Sequence, residues 1–368
     1  MRTRLLEIEK YVVMRTAYGV GAALAVISAI ITLADFVALS RDVGVRAKDS
    51  GAIDLFGLTL LQSPSVILVL TPFAFLFGVL GAFVGLNRRS ELIAMRAAGV
   101  SAWRFIVPAA AAAALAGVFV VLVANPIASV MNAQFERSKA AMMDGYLAET
   151  QKPIWLRQGA GKTQAIIRAA GRIDGPGVRL RDVSVWTYAV DRRGTPRFQH
   201  RIDAREAVLE NRRWRLIDAL DGAPGQPAAR APVETTPTNL TPRTASGRAE
   251  IATAVPFWSL PGVIARTARA GFSTVGYRLQ LQQLLATPLL YAGMSILAAA
   301  FSLRLLRLGG LAQLAASAVA LGFAFFFFNQ LCSAFGKAEW IPPALAAWAP
   351  PLLALLSGVT LLLYTEDG

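Results

Sequence analysis

The sequence predicts a membrane protein of six α-helical spans with one all-β, jelly-roll-like domain inserted between spans 3 and 4. Three observations lead there. Of 368 residues, 55% are hydrophobic and only 16% charged, whereas soluble domains carry about a quarter charged residues. The apolar residues gather in six long runs. Between the third and fourth runs lies a polar stretch of domain length, rich in strand-forming residues.

A helical span needs about 20 mainly apolar residues. Residues 16–39, 60–86, 105–131, 281–303, 309–335 and 342–364 meet that length. Backbone in lipid must be hydrogen-bonded internally, so helices are the default. A membrane β-barrel would instead show alternating strands of about 10 residues. The first run is read as a retained span and not a signal peptide. Charges persist to Arg15, the apolar run is long, and no small-residue cleavage pattern closes it.

Six spans place both termini on one side. The short segments there hold Arg2, Arg4, Lys10, Arg15, Arg88, Arg89, Arg96, Arg104, Arg304 and Arg307. The short opposite loops hold Arg41, Arg46, Lys48 and Lys337. Ten basic residues against four put the termini in the cytoplasm and residues 140–265 outside. The formal charge of +14 follows from such loops and from attraction to anionic lipid, with no need for a nucleic-acid partner. The single Cys332 excludes an internal disulfide.

The domains are therefore 1–139 (spans 1–3), 140–265 (the β domain) and 266–368 (a connecting helix and spans 4–6). In the second, "GVRLRDVSVWTYAV" reads as a strand with a turn at "DRRGTP", and "AREAVLENRRWRLIDA" reads as two strands around a turn near Asn211. The Pro/Ala/Thr-rich stretch after Asp221 is loop or edge strand. "WSLPGVIARTARAGFSTVGYRL" reads as a helix returning to the membrane.

Several motifs carry no chemistry. "GAGKT" at 159–163 puts Leu156 where a phosphate-binding loop needs glycine, so a β-turn is expected. His200 is the only histidine and has no cysteine or carboxylate cluster to make a zinc or hydrolase site. Asn239 heads a glycosylation sequon, but a loop explains it equally. No catalytic residue and no metal site is predicted.

Two groups do invite function. At the outer ends of spans 1 and 3 stand Asp35 and Arg41, and Arg137 and Lys139. All four are interfacial anchors, or the cations Arg41, Arg137 and Lys139 face a shared cavity and hold an anionic headgroup. The second group is the connector "NRRSELIAMRAAGVSAWRF" at 87–105. Ser90 can cap a helix with Glu91 in its first turn, and Gly99 can end it. Glu91, Met95 and Ala98 share one face with Leu92 beside them, and Arg89, Ile93 and Arg96 share another. Such a helix either inserts into a partner's groove or lies on anionic lipid, arginines down.

"RRSELIAMRAAGVS" resembles the cytoplasmic coupling helix of lipopolysaccharide export permeases, the LptF/LptG family. Lipoprotein-release and macrolide permeases carry a similar element, but their outer domain lies between spans 1 and 2. "PIWLRQG", "VSVWTYAVDRRGTPRFQHRIDAREAVLENRRWRL", "TNLTP" and "NQLCSAFGKAEWIPPALAAWAP" extend the resemblance along nearly the whole chain and favour the LptG branch. The resemblance implies a heterodimer with an LptF-like permease, two LptB-like cytoplasmic ATPases that hold ATP and magnesium, and an LptC-like single-span partner. It implies that this chain binds no cofactor of its own. Lipopolysaccharide would pass from the inner membrane through jelly-roll domains to a periplasmic bridge.

By the same resemblance, Glu91 is the docking carboxylate of a coupling helix at 87–99 that also contains Arg89, Leu92, Met95, Arg96, Ala98 and Gly99. Arg41 and Arg137, with Lys139 nearby, match positions that bind lipid phosphates. Asp35 departs from the family's pattern, since a lysine is usual near there. A membrane enzyme acting on lipid intermediates would need clustered Asp, Glu or His at a membrane face, and a passive channel would leave the connector unexplained.

Overall fold

The computed structural model describes residues 2–44, 51–147, 154–160, 163–173, 178–190, 196–210, 213–225, 227–238, 255–269, 273–305 and 311–366. Arg46, Lys48, Arg307, Asn239 and the expected turns at 161–162, 191–195 and 211–212 lie outside the described residues. The chain divides into two compact units: Met1–Ala140 with Ala252–Pro261 and Val275–Gly368, and Ala141–Ile251 with Gly262–Thr274.

Six helices in the first unit are long and apolar enough to cross a membrane. Span 1 belongs to a single helix, Arg2–Gly44, far longer than the apolar run alone suggested. No proline or glycine pair interrupts "RTRLLEIEKYVVMRTAYG", so nothing stops the helix at the edge of the apolar segment. Span 2 occupies Ala52–Arg88, span 4 Val275–Leu305, span 5 Leu311–Lys337 and span 6 Pro343–Glu366.

Span 3 is composite: a helix Ala102–Phe119, a π-helical turn Val120–Ala124, and a helix Asn125–Leu147. Pro126 has no N–H to offer the preceding turn. The Leu122 carbonyl, four residues before it, accepts instead from the Trp258 indole N–H at 3.2 Å. The Asn125 side chain accepts the Phe257 N–H at 3.1 Å. The return segment, a 3-10 turn Phe257–Ser259, is thus fastened to the irregular turn of span 3. What followed in sequence as one helix is two, Leu260–Arg269 and the start of span 4.

Small residues set how the spans meet, as expected where lipid supplies no hydrophobic drive between helices. A Cβ at Gly293 would lie 2.9 Å from the Leu355 backbone, and one at Gly358 would lie 2.8 Å from Leu297, so spans 4 and 6 touch main chain to main chain. Gly19 and Gly78 allow the same approach of spans 1 and 2. The bundle core includes Leu76, Phe83, Phe105, Tyr291 and Met294, and the Phe75 and Tyr291 rings stack at 4.5 Å.

The second unit holds one antiparallel sheet: β1 (Ile154–Ala160), β2 (Thr163–Arg172), β3 (Arg179–Val190), β4 (Pro196–Glu210), β5 (Arg213–Gly222) and β6 (Ala229–Pro237). The strand order is β1-β2-β3-β4-β5-β6. A jelly roll needs strands distant in sequence to pair. Among the described strands each pairs only with its sequence neighbour, a meander. Alternation is clean on β5, where Trp214, Leu216 and Ala219 are buried, with a step at Asp218, which has φ 59°. The face carrying Ile167, Leu180, Val185, Ile202 and Trp214 is almost fully covered.

Candidate coupling and lipid-contact sites

The connector between spans 2 and 3 is a short helix closed at both ends by backbone hydrogen bonds. Span 2 ends at Arg88, and the chain turns at Ser90, whose φ 58° and ψ 10° are left-handed. Ser90 does not cap through its side chain, contrary to the expectation from sequence. Its carbonyl instead accepts the Ala94 N–H at 2.9 Å and starts the helix Glu91–Ala97. A side chain in αL conformation points away from the first-turn donors it would cap, which is why the motif reading fails.

The other end follows the sequence. Gly99 has φ +79°. Its N–H bonds the Arg96 carbonyl at 2.9 Å, and the Val100 N–H bonds that of Met95 at 3.1 Å. This is a Schellman closure, with Met95 and Val100 supplying its apolar contact against the bundle. Ser101 then caps span 3 by accepting the Trp103 N–H at 3.3 Å.

The faces of the helix are rotated from the expected ones. Leu92 is 2% exposed and belongs to the bundle core, and Met95 packs partly against it. Leu92 is thus closed off by the chain itself, while Met95 remains half-buried. The open apolar ridge is Ile93, Ala94, Ala97 and Ala98, with Ile93 59% exposed. Arg88 and Arg89 are exposed and Arg96 half-buried. Among the described residues none of these three arginines has a carboxylate partner.

Glu91 sits half-buried at the rim of the ridge. Its Oε2 accepts the Tyr11 hydroxyl at 2.7 Å. Arg104, in the first turn of span 3, meets Glu9 at 3.4 Å. Sequence reasoning missed both partners. They stand 80 and 95 residues away, and nothing local marks them.

At the far ends of spans 1 and 3 the expected cations are present on separate helices. Arg41 lies exposed in the last turn of the span 1 helix. Arg137 is exposed, while the Lys139 ammonium sits 5.6 Å from the centroid of the Phe135 ring. No hydrogen bond or ion pair joins the Arg41 helix turn to Arg137 or Lys139 among the described residues. Asp35 Oδ2 is buried with no hydrogen-bond partner among the described residues.

In the β domain His200 Nδ1 lies 3.1 Å from Asp221 Oδ1 across β4 and β5, a cross-strand pair. Strands, not a helix, flank "GAGKT", and Ala160 pairs with Thr163. Among the described residues no three His, Cys, Asp or Glu side chains gather to hold a metal.

Six helices long and apolar enough to cross a membrane, an inserted antiparallel sheet and a two-turn connector fit a multi-pass membrane protein. The profile of the lipopolysaccharide export system permease LptF/LptG matches residues 10–364, and the chain belongs to that family. No individually curated protein matches it. Membership makes it a permease component of lipopolysaccharide transport, and its six apolar helices fit a multi-pass inner-membrane protein.

Proposed function

We propose that this chain is the LptG-type half of an ATP-driven permease that extracts lipopolysaccharide from the inner membrane and passes it to a periplasmic bridge. Its termini and the connector face the cytoplasm, and the β domain, completed as a jelly roll, faces the periplasm. An LptF-like permease forms the other half. Two LptB-like ATPases hold the ATP and magnesium, and an LptC-like partner begins the bridge. The chain itself carries no catalytic group; hydrolysis elsewhere moves the connector, and the spans convey that motion to the lipid.

The observation that carries this reading is the exposed ridge Ile93, Ala94, Ala97 and Ala98 with Glu91 at its rim, in a chain of this family. A small apolar ridge beside one carboxylate suits a groove with a basic residue. The spans add support. Span 1 buries almost none of its apolar stretch within the chain and span 5 about a fifth, which leaves room for a second permease. At the outer ends Arg41, Arg137 and Lys139 would hold lipid phosphates.

The experiment is co-purification of the ATPase and lipopolysaccharide-stimulated hydrolysis for Glu91→Lys, with Arg89→Glu as control. Glu91→Lys should lose both while the chain stays folded. If it keeps both and Arg89→Glu loses them, the arginine face makes the contact. A helix lying on lipid predicts stronger membrane attachment for the added lysine. In the same complex Arg41→Glu with Arg137→Glu should weaken lipid photocrosslinking at least tenfold, since charge-assisted contacts are worth roughly 1.5–3 kcal/mol each. Unchanged crosslinking would make both residues simple anchors.

A further inference from the structure

We propose that Tyr11 is a positioning residue for Glu91, through which the inner end of span 1 follows the coupling helix directly. The inference rests on the reading of Glu91 as the docking carboxylate. It begins from one bond. Tyr11 Oη donates to Glu91 Oε2 at 2.7 Å between helices with no sequence proximity. Tyr11 is 41% exposed, so its ring is not there to fill the core. The neighbouring Val12 is buried in the bundle at 1% exposure. Val12 therefore fixes the helix, and Tyr11 is held along the surface with its hydroxyl on the carboxylate.

The contact orients without blocking. Tyr11 takes Oε2, and among the described residues Oε1 has no partner. A glutamate with one oxygen held loses most of its rotamer freedom before docking. The partner then meets an oriented acceptor, the saving that preorganisation brings.

A second bond brackets the connector from its other end. Glu9, two residues before Tyr11, meets Arg104 in the first turn of span 3. The N-terminal part of the span 1 helix thus grips the chain just after the Ser90 joint and just after the Gly99 closure. The connector helix has few ways to shift without taking span 1 with it.

What lies at the other end of span 1 gives the grip its consequence. The helix runs without a break from Arg2 to Gly44, and Arg41 is in its last turn. At ~1.5 Å per residue, Tyr11 and Arg41 are about 45 Å apart along one axis. One side of that length packs on span 2 through Gly19 and Gly78, and little of the rest is buried in the chain. Displacement at Glu91 can therefore reach the lipid-contact end along one rod, without first rearranging the closely packed spans 4 and 6.

The test uses the full chain assembled with its partners in proteoliposomes, and reads lipopolysaccharide released per ATP hydrolysed. Tyr11→Phe removes one oxygen and leaves the ring. The ATPase should still co-purify and the melting temperature should be unchanged, while the release ratio falls about fivefold. Glu9→Gln should move the ratio the same way by less. On a Glu91→Ala background, Tyr11→Phe should cause no further fall, because the oxygen that accepts its hydrogen bond is gone. A wild-type ratio in Tyr11→Phe, while Glu91→Lys has lost association, overturns the inference and leaves the docking reading standing. An additive loss in the double variant also overturns it, since Tyr11 would then act elsewhere. If Glu91→Lys itself keeps association and stimulation, the docking reading fails and this inference with it.

Discussion

Span 4 and span 1 differ in how far the chain encloses them, although each meets a neighbour through glycine, span 4 at span 6 and span 1 at span 2. Span 4 has 56% of its apolar window buried inside the chain, and span 1 only 6%. Spans 4 and 6 meet through Gly293 and Gly358, backbone against backbone. Span 5 presents Val319, Phe323, Phe327 and Leu331 outward, one every fourth residue along a single stripe. In water such a stripe would demand a partner at once. In a bilayer, lipid tails satisfy it as well as another helix would. Exposure alone therefore does not separate a lipid face from an interface. Close small-residue packing, however, does mark the contacts this chain makes for itself, and substitutions can sort the two kinds of face.

The largest effect should come from bulk at the closed contact. Gly358→Leu puts a Cβ 2.8 Å from the Leu297 backbone, with three further carbons behind it. Overpacking typically costs about 1–3 kcal/mol and sometimes more; here main chain must move, so the upper end applies. We expect loss of folded protein, read by thermal unfolding in detergent. An unchanged melting temperature would mean that spans 4 and 6 separate without penalty. Next in size is the open stripe. Phe323→Ala with Phe327→Ala should leave the isolated chain as stable as before, because neither ring packs deeply in it. If this stripe meets a second permease, the pair should lose several-fold in co-purification yield. Equal yield would assign the stripe to lipid and break the parallel with span 1.

The two faces differ in how readable they were. All six spans were legible because each is a long apolar run, a property of composition more than of arrangement. Their ends were not. Span 1 continues through charged residues to Arg2 because helix propensity, not apolarity, decides where it stops. The π-helical turn Val120–Ala124 was invisible, since five apolar residues look alike in any helix. Pro126, two residues after that turn, is the local feature that marks it. Strands fell where β-branched residues alternate, yet the meander order needed the register. In the connector, Gly99 was legible because a positive φ favours one residue type. The inward turn of Leu92 and Met95 was not, because a two-turn helix of mixed polarity has no decisive periodicity. Tyr11 and Glu9 were out of reach for a plainer reason: pairing across 80 residues leaves no local mark.

The smallest effect tests the connector's two ends against each other. Both are left-handed, one at Gly99 with φ +79° and one at Ser90 with φ 58°. A Cβ at Gly99 would meet nothing within 4 Å. Gly99→Ala therefore isolates the backbone cost, about 1–2 kcal/mol for an L-residue in this region. Amides of the helix Glu91–Ala97 should exchange roughly five- to thirtyfold faster if that closure is what holds it. Ser90→Gly runs the other way. It relieves the left-handed strain that serine now bears but adds freedom to the unfolded chain, so about 0.5 kcal/mol or less should remain. Serine at such a position is then not a stability device. If Ser90→Gly leaves exchange unchanged yet lowers stimulated hydrolysis, the stiffness of that joint is itself part of coupling. The joint would then act as a fixed elbow, passing force from the docked helix into span 2 as Tyr11 passes it into span 1. If both exchange and hydrolysis stay at wild-type level, the elbow is only a turn, and the path through span 1 carries the signal alone.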